Sequence, residues 1–468
     1  MNRILKRLLQ VKGVGRDESG KLYRRCLQIA WPATIEGLLL SLISSADMMM
    51  VGVLGPVAIA SVGLTGQARM LLLVIPQALC VGTTALVARR KGAGNDIGAR
   101  SCLQQSMVFV TVIGVIITLI GYLAAGPFMR LAGANEDTLP LSREYFQIIS
   151  LGFLPNCWQL CINASFRAIG RTKVTMVTNI TANVINVILN YLLIGGHAGF
   201  PALGVAGAAY ATFIGTLTAG ALSIYFASRQ DSYFAYQPMK KIRFDRDTVS
   251  GLTMIGSSSM TESVFLRIGF FITQRLIAGI GTAAFAAYQI VSQVTGLSFT
   301  LGDGIATAGV SMVAQSLGAG RKDRAMQYVA VVRRMSLLVS IALMAFIFLL
   351  RRDLASLFTS DQEVIKTASL AFLVVLPSVV PQNGRVVYAG CLRGAGDVRF
   401  VAATSLLGVG VLRPLLTYLL SYQLHAVLPH LQLEATGAWL AFFADAVLRN
   451  ALLAARVKRG RWMNVRLV

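Results

Sequence analysis

Twelve apolar stretches, each about 20 residues or longer, fill most of this chain. Their approximate cores are 28–53, 60–88, 103–128, 142–166, 174–195, 203–228, 251–278, 285–315, 328–350, 367–390, 400–421 and 435–456. Runs of this length without helix caps are too long for the core helices of a water-soluble domain. In hydrocarbon a backbone must satisfy its own hydrogen bonds, so the expected fold is an all-α integral membrane protein with twelve transmembrane helices. The composition agrees: only 13% of residues are charged, against about 25% in a soluble domain. The second and eighth stretches are long enough to require tilt or a kink. Pro32, Pro76, Pro155, Pro377, Pro381 and Pro414 are the candidate kink sites.

The formal charge of +23 would point to nucleic acid in a soluble protein. Here the positive-inside rule accounts for it. With the N-terminus in the cytoplasm, "RRKGAGNDIGAR", Arg167, Arg171, Lys173, "KKIRFDR", "GRKDR", Arg393, Arg399 and "RVKRGR" all fall inside. The other side keeps only Arg130, Arg143, Arg351, Arg352 and Lys366, offset by Glu136, Asp137, Asp353, Asp361 and Glu363. Both termini are therefore expected in the cytoplasm, with the chain multi-pass in the cytoplasmic (inner) membrane. No cleavable signal-peptide pattern is present, so the first span itself is expected to direct targeting. The start, "MNRILKRLLQ", either lies along the inner leaflet or serves as a basic flank.

The chain also repeats itself. "VARRKGAGN" at 87–95 matches "VAQSLGAGR" at 313–321, and "FRAIGRTK" at 166–173 matches "LRGAGDVR" at 392–399, both at an offset of 226 residues. The same offset pairs Glu36 with Glu262, Gly55 with Gly281, Ala60 with Ala286 and Pro155 with Pro381; in the sixth stretch the register slips by four, pairing Gly207 with Gly437. Six helices per repeat return the chain to its starting side. Two six-helix bundles related by a pseudo-two-fold along the membrane normal follow. The expected organisation is an N-terminal tail at 1–25, an N-lobe at 26–228, a cytoplasmic linker at 229–247, a C-lobe at 248–457 and a tail at 458–468.

Ionisable residues inside spans are candidates for function. Glu36 and Asp47 stand eleven residues apart in the first stretch, which brings them onto one helical face at about 100° per residue. In the fifth, "NITANVINVILN" puts Asn179, Asn183, Asn186 and Asn190 on one face at i, i+4, i+7 and i+11. Such a stripe either binds cations and protons or holds helices together. The internal repeat discriminates. Polar groups needed only for packing should recur in the second half, yet Asp47 pairs with Thr273, Asn186 with Leu412, Asn190 with Leu416 and, in the slipped register, Thr212 with Phe442. That asymmetry favours a specialised site in the N-lobe. Glu36 has a twin in Glu262, which suits either a shared central cavity or a common structural anchor. Glu36, Glu262, Asn179, Asn183 and Gln289 are the candidate substrate-cavity residues. The C-lobe charges Arg267, Arg275, Asp303, Arg385, Arg413 and Asp445 are expected to pair with one another.

Together, "WPATIEGLLLSLISSADMMMVGVLG", "VARRKGAG", "FRAIGRTK" and "LRGAGDVR" resemble the multidrug and toxic compound extrusion (MATE) family over essentially the whole chain. The resemblance implies a cation-coupled antiporter that exports amphiphilic, cationic drugs or metabolites by alternating access. By resemblance, the coupling-ion site maps onto Asp47, Asn186, Asn190, Ala208 and Thr212. The departure is Asn190, where the family often has Asp, so this site holds one carboxylate instead of two. A single acid among neutral amides suits H+, although carboxamide oxygens also suit Na+. No cofactor or metal is implied beyond that coupling ion. The implied partners are a small-molecule substrate and the bilayer, with no nucleic acid, and the chain is expected to act as a monomer. The alternative is a flippase for a lipid-linked sugar, whose cavity would be cationic. A major-facilitator transporter is disfavoured because "RRKGAGNDIGAR" does not match that group's basic loop. An enzyme is disfavoured by the lack of a P-loop, a Gly-x-Ser-x-Gly motif or a His-based metal pattern. The six cysteines read as small apolar residues. His197, His425 and His430 read as solvated loop residues.

Overall fold

A computed structural model describes residues 15–236, 244–280, 282–356, 362–424 and 433–465. The tip "MNRILKRLLQ", much of the "KKIRFDR" linker, His425 and His430 lie outside the described residues, as does the side chain of Ala286. The described residues contain helices and turns and no strand. We number the helices α1 (Arg16–Gly52), α2 (Pro56–Leu72), α3 (Val74–Gly92), α4 (Asp96–Leu123), α5 (Ala125–Leu131), α6 (Leu139–Ser150), α7 (Phe153–Ala168), α8 (Thr172–Gly195) and α9 (Gly204–Ser228). There follow α10 (Arg246–Ala278), α11 (Thr282–Gly318), α12 (Lys322–Ser356), α13 (Gln362–Val375), α14 (Val379–Ala395), α15 (Val398–Leu424) and α16 (Leu433–Lys458).

Each of the twelve apolar stretches is covered by one helix or by two helices that meet at a short break. Among the described residues, nine helices are long and apolar enough to cross a membrane, ten if the bent pair α2–α3 is one span. Large apolar side chains such as Leu42, Phe271 and Leu349 are exposed, which is the surface a lipid environment requires. The chain is an all-α, multi-pass membrane protein.

Proline explains most of the interruptions. α2 and α3 meet at 46°; Pro76 has no N–H, and its ring crowds the carbonyl of Leu72, where α2 ends. The fourth stretch divides into α6 and α7 just before Pro155, and the tenth divides at Leu376–Ser378, just before Pro381. These two breaks occupy equivalent places in the repeat. Pro414 follows a π-helical segment, Leu406–Leu412, inside α15. Pro32 differs from the expectation of a kink: α1 runs unbroken through it for 37 residues.

Local chemistry sets the helix starts. Asn95 caps α4 by accepting from the Gly98 N–H at 2.7 Å. Asp245 does the same for α10, accepting from the Thr248 N–H at 3.2 Å. Gly55, at φ 103°, makes the turn from α1 into α2 in a conformation that a side chain would strain.

Packing divides the chain into two compact units, Ile35–Ser257 and Ser258–Leu467, the second of which also takes the chain up to Thr34. The expected lobe boundaries follow the loops, whereas the packing boundaries fall inside α1 and α10. The core of the C-terminal unit shows why. Leu22, Cys26, Ile29 and Ala30 of α1 are buried in one cluster with Met312, Tyr328, Val332, Val387 and Leu392. A second cluster in the same unit joins Ile277, Val291, Phe372 and Trp439, the last stacked on Tyr288 with ring centroids 4.7 Å apart. In the N-terminal unit, α8 and α9 approach through small residues. A Cβ on Gly207 would overlap the Leu193 carbonyl, and one on Gly215 would lie 3.0 Å from the Asn186 Cβ. This is how close membrane helices pack when side chains leave room. All six cysteines are free and buried.

Candidate functional site

The close approach of α8 and α9 brings the asparagine stripe into the N-terminal unit's interior. There it lines a cavity of about 530 Å³. All four asparagines face this cavity, as do Glu36, Asp47, Ala208 and Thr212. Asn179, Asn186 and Asn190 are buried, while Asn183 is half-buried.

The two acids of α1 have different surroundings. Glu36 is 3% exposed and fully engaged. Arg167 Nη2 lies 2.6 Å from its Oε1, the Thr175 hydroxyl donates to its Oε2 at 3.0 Å, and the Asn179 amide donates to Oε1. Gln159 donates in turn to Asn179 Oδ1. Asp47 has no arginine bonded to it. The Asn190 amide donates to its Oδ1 at 2.8 Å, and the same nitrogen stands 3.4 Å from Asn186 Oδ1. Asn190 Oδ1 is itself buried with no donor among the described residues. The Thr212 hydroxyl donates to the Ala208 carbonyl at 2.9 Å. Asp47, Asn186, Asn190, Ala208 and Thr212 therefore offer carboxylate, carboxamide, carbonyl and hydroxyl oxygens within one cavity lining. Oxygen donors with one fixed charge are what Na+ or a transferable proton requires.

The other candidates lie elsewhere. Glu262 is 4% exposed in the C-terminal unit, bound to Arg393 at 2.6 Å and to the Ser405 hydroxyl at 3.0 Å. It repeats the Glu36–Arg167 pair at the same sequence separation, so both glutamates are anchored ion pairs. Gln289 is exposed on α11 and does not line the cavity. Among the C-lobe charges, Asp445 pairs with Arg413 and with Arg449, a residue the sequence reading did not single out, while Arg385 donates to Gln382 at 2.9 Å. His197 is exposed and stacks on Tyr191 with centroids 4.1 Å apart.

Two cavity residues escaped the sequence reading. Arg69, on α2, lines the same cavity, with Tyr145 beside it; Tyr145 reaches Thr212 and lies in the field of both Arg69 and Asp47. A charged residue within the second apolar stretch was the available sign. Arg167 was placed in a cytoplasmic loop on charge alone, yet the end of α7 carries it to Glu36. The cavity is thus not lined only by acids and amides. Glu36 and Asp47 are balanced by Arg69 and Arg167, so its formal charge is zero with Asp47 ionised. Among the described residues, no group of three His, Cys, Asp or Glu could hold a metal ion.

The MatE family model matches residues 32–192 and again 259–419, once in each repeat. A probable multidrug resistance protein NorM of Thermotoga maritima is 24% identical over 458 residues, covering 96% of this chain and 94% of the relative. The multidrug resistance protein PmpM of Pseudomonas aeruginosa is 27% identical over 402 residues, covering 83% and 82%. A crystal structure of MATE in the straight conformation superposes with a TM-score of 0.86 at 20% identity, covering 98% of this chain and 99% of that one.

Proposed function

Because this chain belongs to the MatE family and is therefore a membrane transporter and not an enzyme, we propose that it exports amphiphilic cations in exchange for H+, with Asp47 carrying the proton. The observation that supports this most directly is the pairing of Asp47 with Asn190, whose own Oδ1 is buried without a donor. An ionised carboxylate only accepts; a protonated one also donates. Protonation gives Asp47 an O–H to offer, and Asn190 Oδ1 is the acceptor at hand.

Charge supplies the coupling. With Asp47 ionised the cavity is neutral overall, and the carboxylate attracts a cationic solute. With Asp47 protonated, Arg69 is left without an opposing charge and the cavity becomes net positive. A cation is then expelled. Coupling of this kind is a difference in affinity between two states, which a proton from one side and a solute from the other each bias. We place both termini on the cytoplasmic side of the inner membrane, from the Lys and Arg distribution, and take the monomer as the working unit. A cavity without excess positive charge does not favour the lipid-linked sugar alternative.

The test is efflux of a cationic dye from vesicles under an imposed pH gradient or an imposed Na+ gradient, comparing wild type with Asp47→Asn. Loss of pH-driven efflux in Asp47→Asn is expected. Wild-type rates under both gradients would falsify the assignment.

A further inference from the structure

We propose that the C-terminal unit contains a binding site for an oxyanion, a phosphate or carboxylate group, built from Arg413, Arg449 and Arg385. Arg413 is 1% exposed, Arg449 1% and Asp445 0%. Arg413 Nη2 lies 2.6 Å from Asp445 Oδ2, and Arg449 reaches both oxygens of the same carboxylate at 2.7 and 2.6 Å. Two guanidiniums thus share one carboxylate. Arg385 is half-buried and donates to Gln382 Oε1 at 2.9 Å. The other buried acids described in this unit, Glu262 and Asp397, are committed to Arg393 and Arg456. Arg413, Arg449 and Asp445 together carry a formal charge of +1 and all three are buried, where an uncompensated charge is costly.

The unused donors give that charge a direction. Arg413 Nε and Nη1 are buried and have no acceptor among the described residues, and neither has Gln382 Nε2, whose partner oxygen is taken by Arg385. Phe442 and Phe270 lie against the Arg413 guanidinium, with ring centroids 4.6 and 5.0 Å away. Rings hold a guanidinium by its face and leave its N–H edge unsatisfied. A planar fork of N–H donors matches the oxygens of phosphate or carboxylate. A buried polar group without a partner in a native structure calls for such an explanation.

The backbone is shaped around the cluster. A Cβ on Gly408 would overlap Asp445 and Arg449, and Gly408 lies in the π-helical segment that precedes Arg413. Single π-turns recur at functional sites. The repeat argues against a packing role common to both halves. At an offset of 226, Arg413 and Arg385 correspond to Val187 and Gln159; in the slipped register, Asp445 and Arg449 correspond to Gly215 and Ala219. Only this unit has the cluster.

The test is thermal unfolding of the purified full-length protein in detergent, with inorganic phosphate or octyl phosphate added against gluconate at equal ionic strength. Phosphate or octyl phosphate is expected to raise the midpoint, as any ligand of the folded state does. In Arg385→Gln the apparent affinity should fall about tenfold, the scale of one charge-assisted hydrogen bond. In Asp445→Asn, which removes the competing carboxylate, it should rise by about the same factor. Stabilisation by both probes identifies a site for the free oxyanion; stabilisation by octyl phosphate alone identifies one for the anionic end of an amphiphile. Both outcomes support the site. No stabilisation beyond gluconate, or the same stabilisation in wild type and Arg385→Gln, overturns it. If Asp445→Asn fails to fold, Arg385→Gln decides. The measurement uses no ion gradient, so its outcome is separate from that of the dye assay.

Discussion

Asn190 donates its amide to Asp47 across 2.8 Å, 143 residues earlier in the chain, and Asn179 makes the same donation to Glu36 at the same separation of 143. Two acids eleven residues apart on α1 are therefore met by two amides eleven residues apart on α8. The helices share a register, so a change at one contact is felt at the other. Only one of the two acids also has an arginine bonded to it. That difference makes Glu36 an anchored ion pair and is why we propose Asp47 as the group that changes its charge.

Asn190→Asp adds the second carboxylate that related sites often carry. Two like charges in one oxygen cage favour a cation between them. The expected outcome is dye efflux that depends more strongly on a Na+ gradient than that of the wild type. Asn190→Ala removes the donor to Asp47 and should slow pH-driven efflux about tenfold, the worth of one charge-assisted hydrogen bond. Vesicle efflux under each gradient measures both.

Arg167→Met removes the charge that balances buried Glu36. Arg167 is itself 38% exposed, so solvent already screens part of the pair, and Thr175 and Asn179 still donate to the acid. A loss of about 1–2 kcal/mol in unfolding free energy is expected. Glu36→Gln should cost less, because the amide keeps the shape. The double variant should cost less than the sum of the two, as partners in one network do. Additive losses would show that the pair is not coupled. The same cycle on Glu262 and Arg393 should behave alike.

Gly207→Val forces α9 away from the Leu193 carbonyl and should destabilise by about 2 kcal/mol. Because Asn186 packs on the same face of α9 at Gly215, efflux should fall as well. Gly20→Val serves as the control, since a Cβ there meets nothing within 4 Å and the residue does not line the cavity; it should leave the unfolding midpoint nearly unchanged.

Asp245 gives a pH-dependent contribution at the start of α10. The hydroxyl of Thr248 foremost, then the backbone N–H groups of Asp247 and Thr248 and the Arg90 guanidinium, hold its carboxyl below the usual 3.8. The folded state thus favours the ionised form. Its contribution is complete above pH 3.8 and is lost as pH falls through the lower folded value. Asp245→Ala should cost about 1 kcal/mol at pH 7, the worth of an N-cap. Unfolding midpoints of the two proteins should converge as the pH is lowered below 3.8.

The spans were legible because hydrocarbon imposes a length and an apolar composition on each of them. The asparagine stripe was legible because helical periodicity turns i, i+4, i+7 and i+11 into one face, and its link to Asp47 followed from the asymmetry of the repeat. Other features needed three dimensions. Charge counting assigns Arg167 to a loop, since nothing local shows that the end of α7 meets α1. Arg69 has no pattern around it beyond its presence in a span. The division of α1 between two cores leaves no trace in periodicity: the charges are concentrated at Arg16–Arg25, and no break in the helical pattern marks the change of packing partners at Thr34.

That division bears on the order in which the protein can mature. Residues 16–34 are synthesised well before the rest of their own core: Leu22, Cys26, Ile29 and Ala30 pack with members, Tyr328, Val332 and Leu392 among them, that are made hundreds of residues later. The segment meets these core partners only after the intervening residues have been synthesised. A truncated or stalled product would keep that apolar surface uncovered, giving quality-control proteases a way to recognise an unfinished copy.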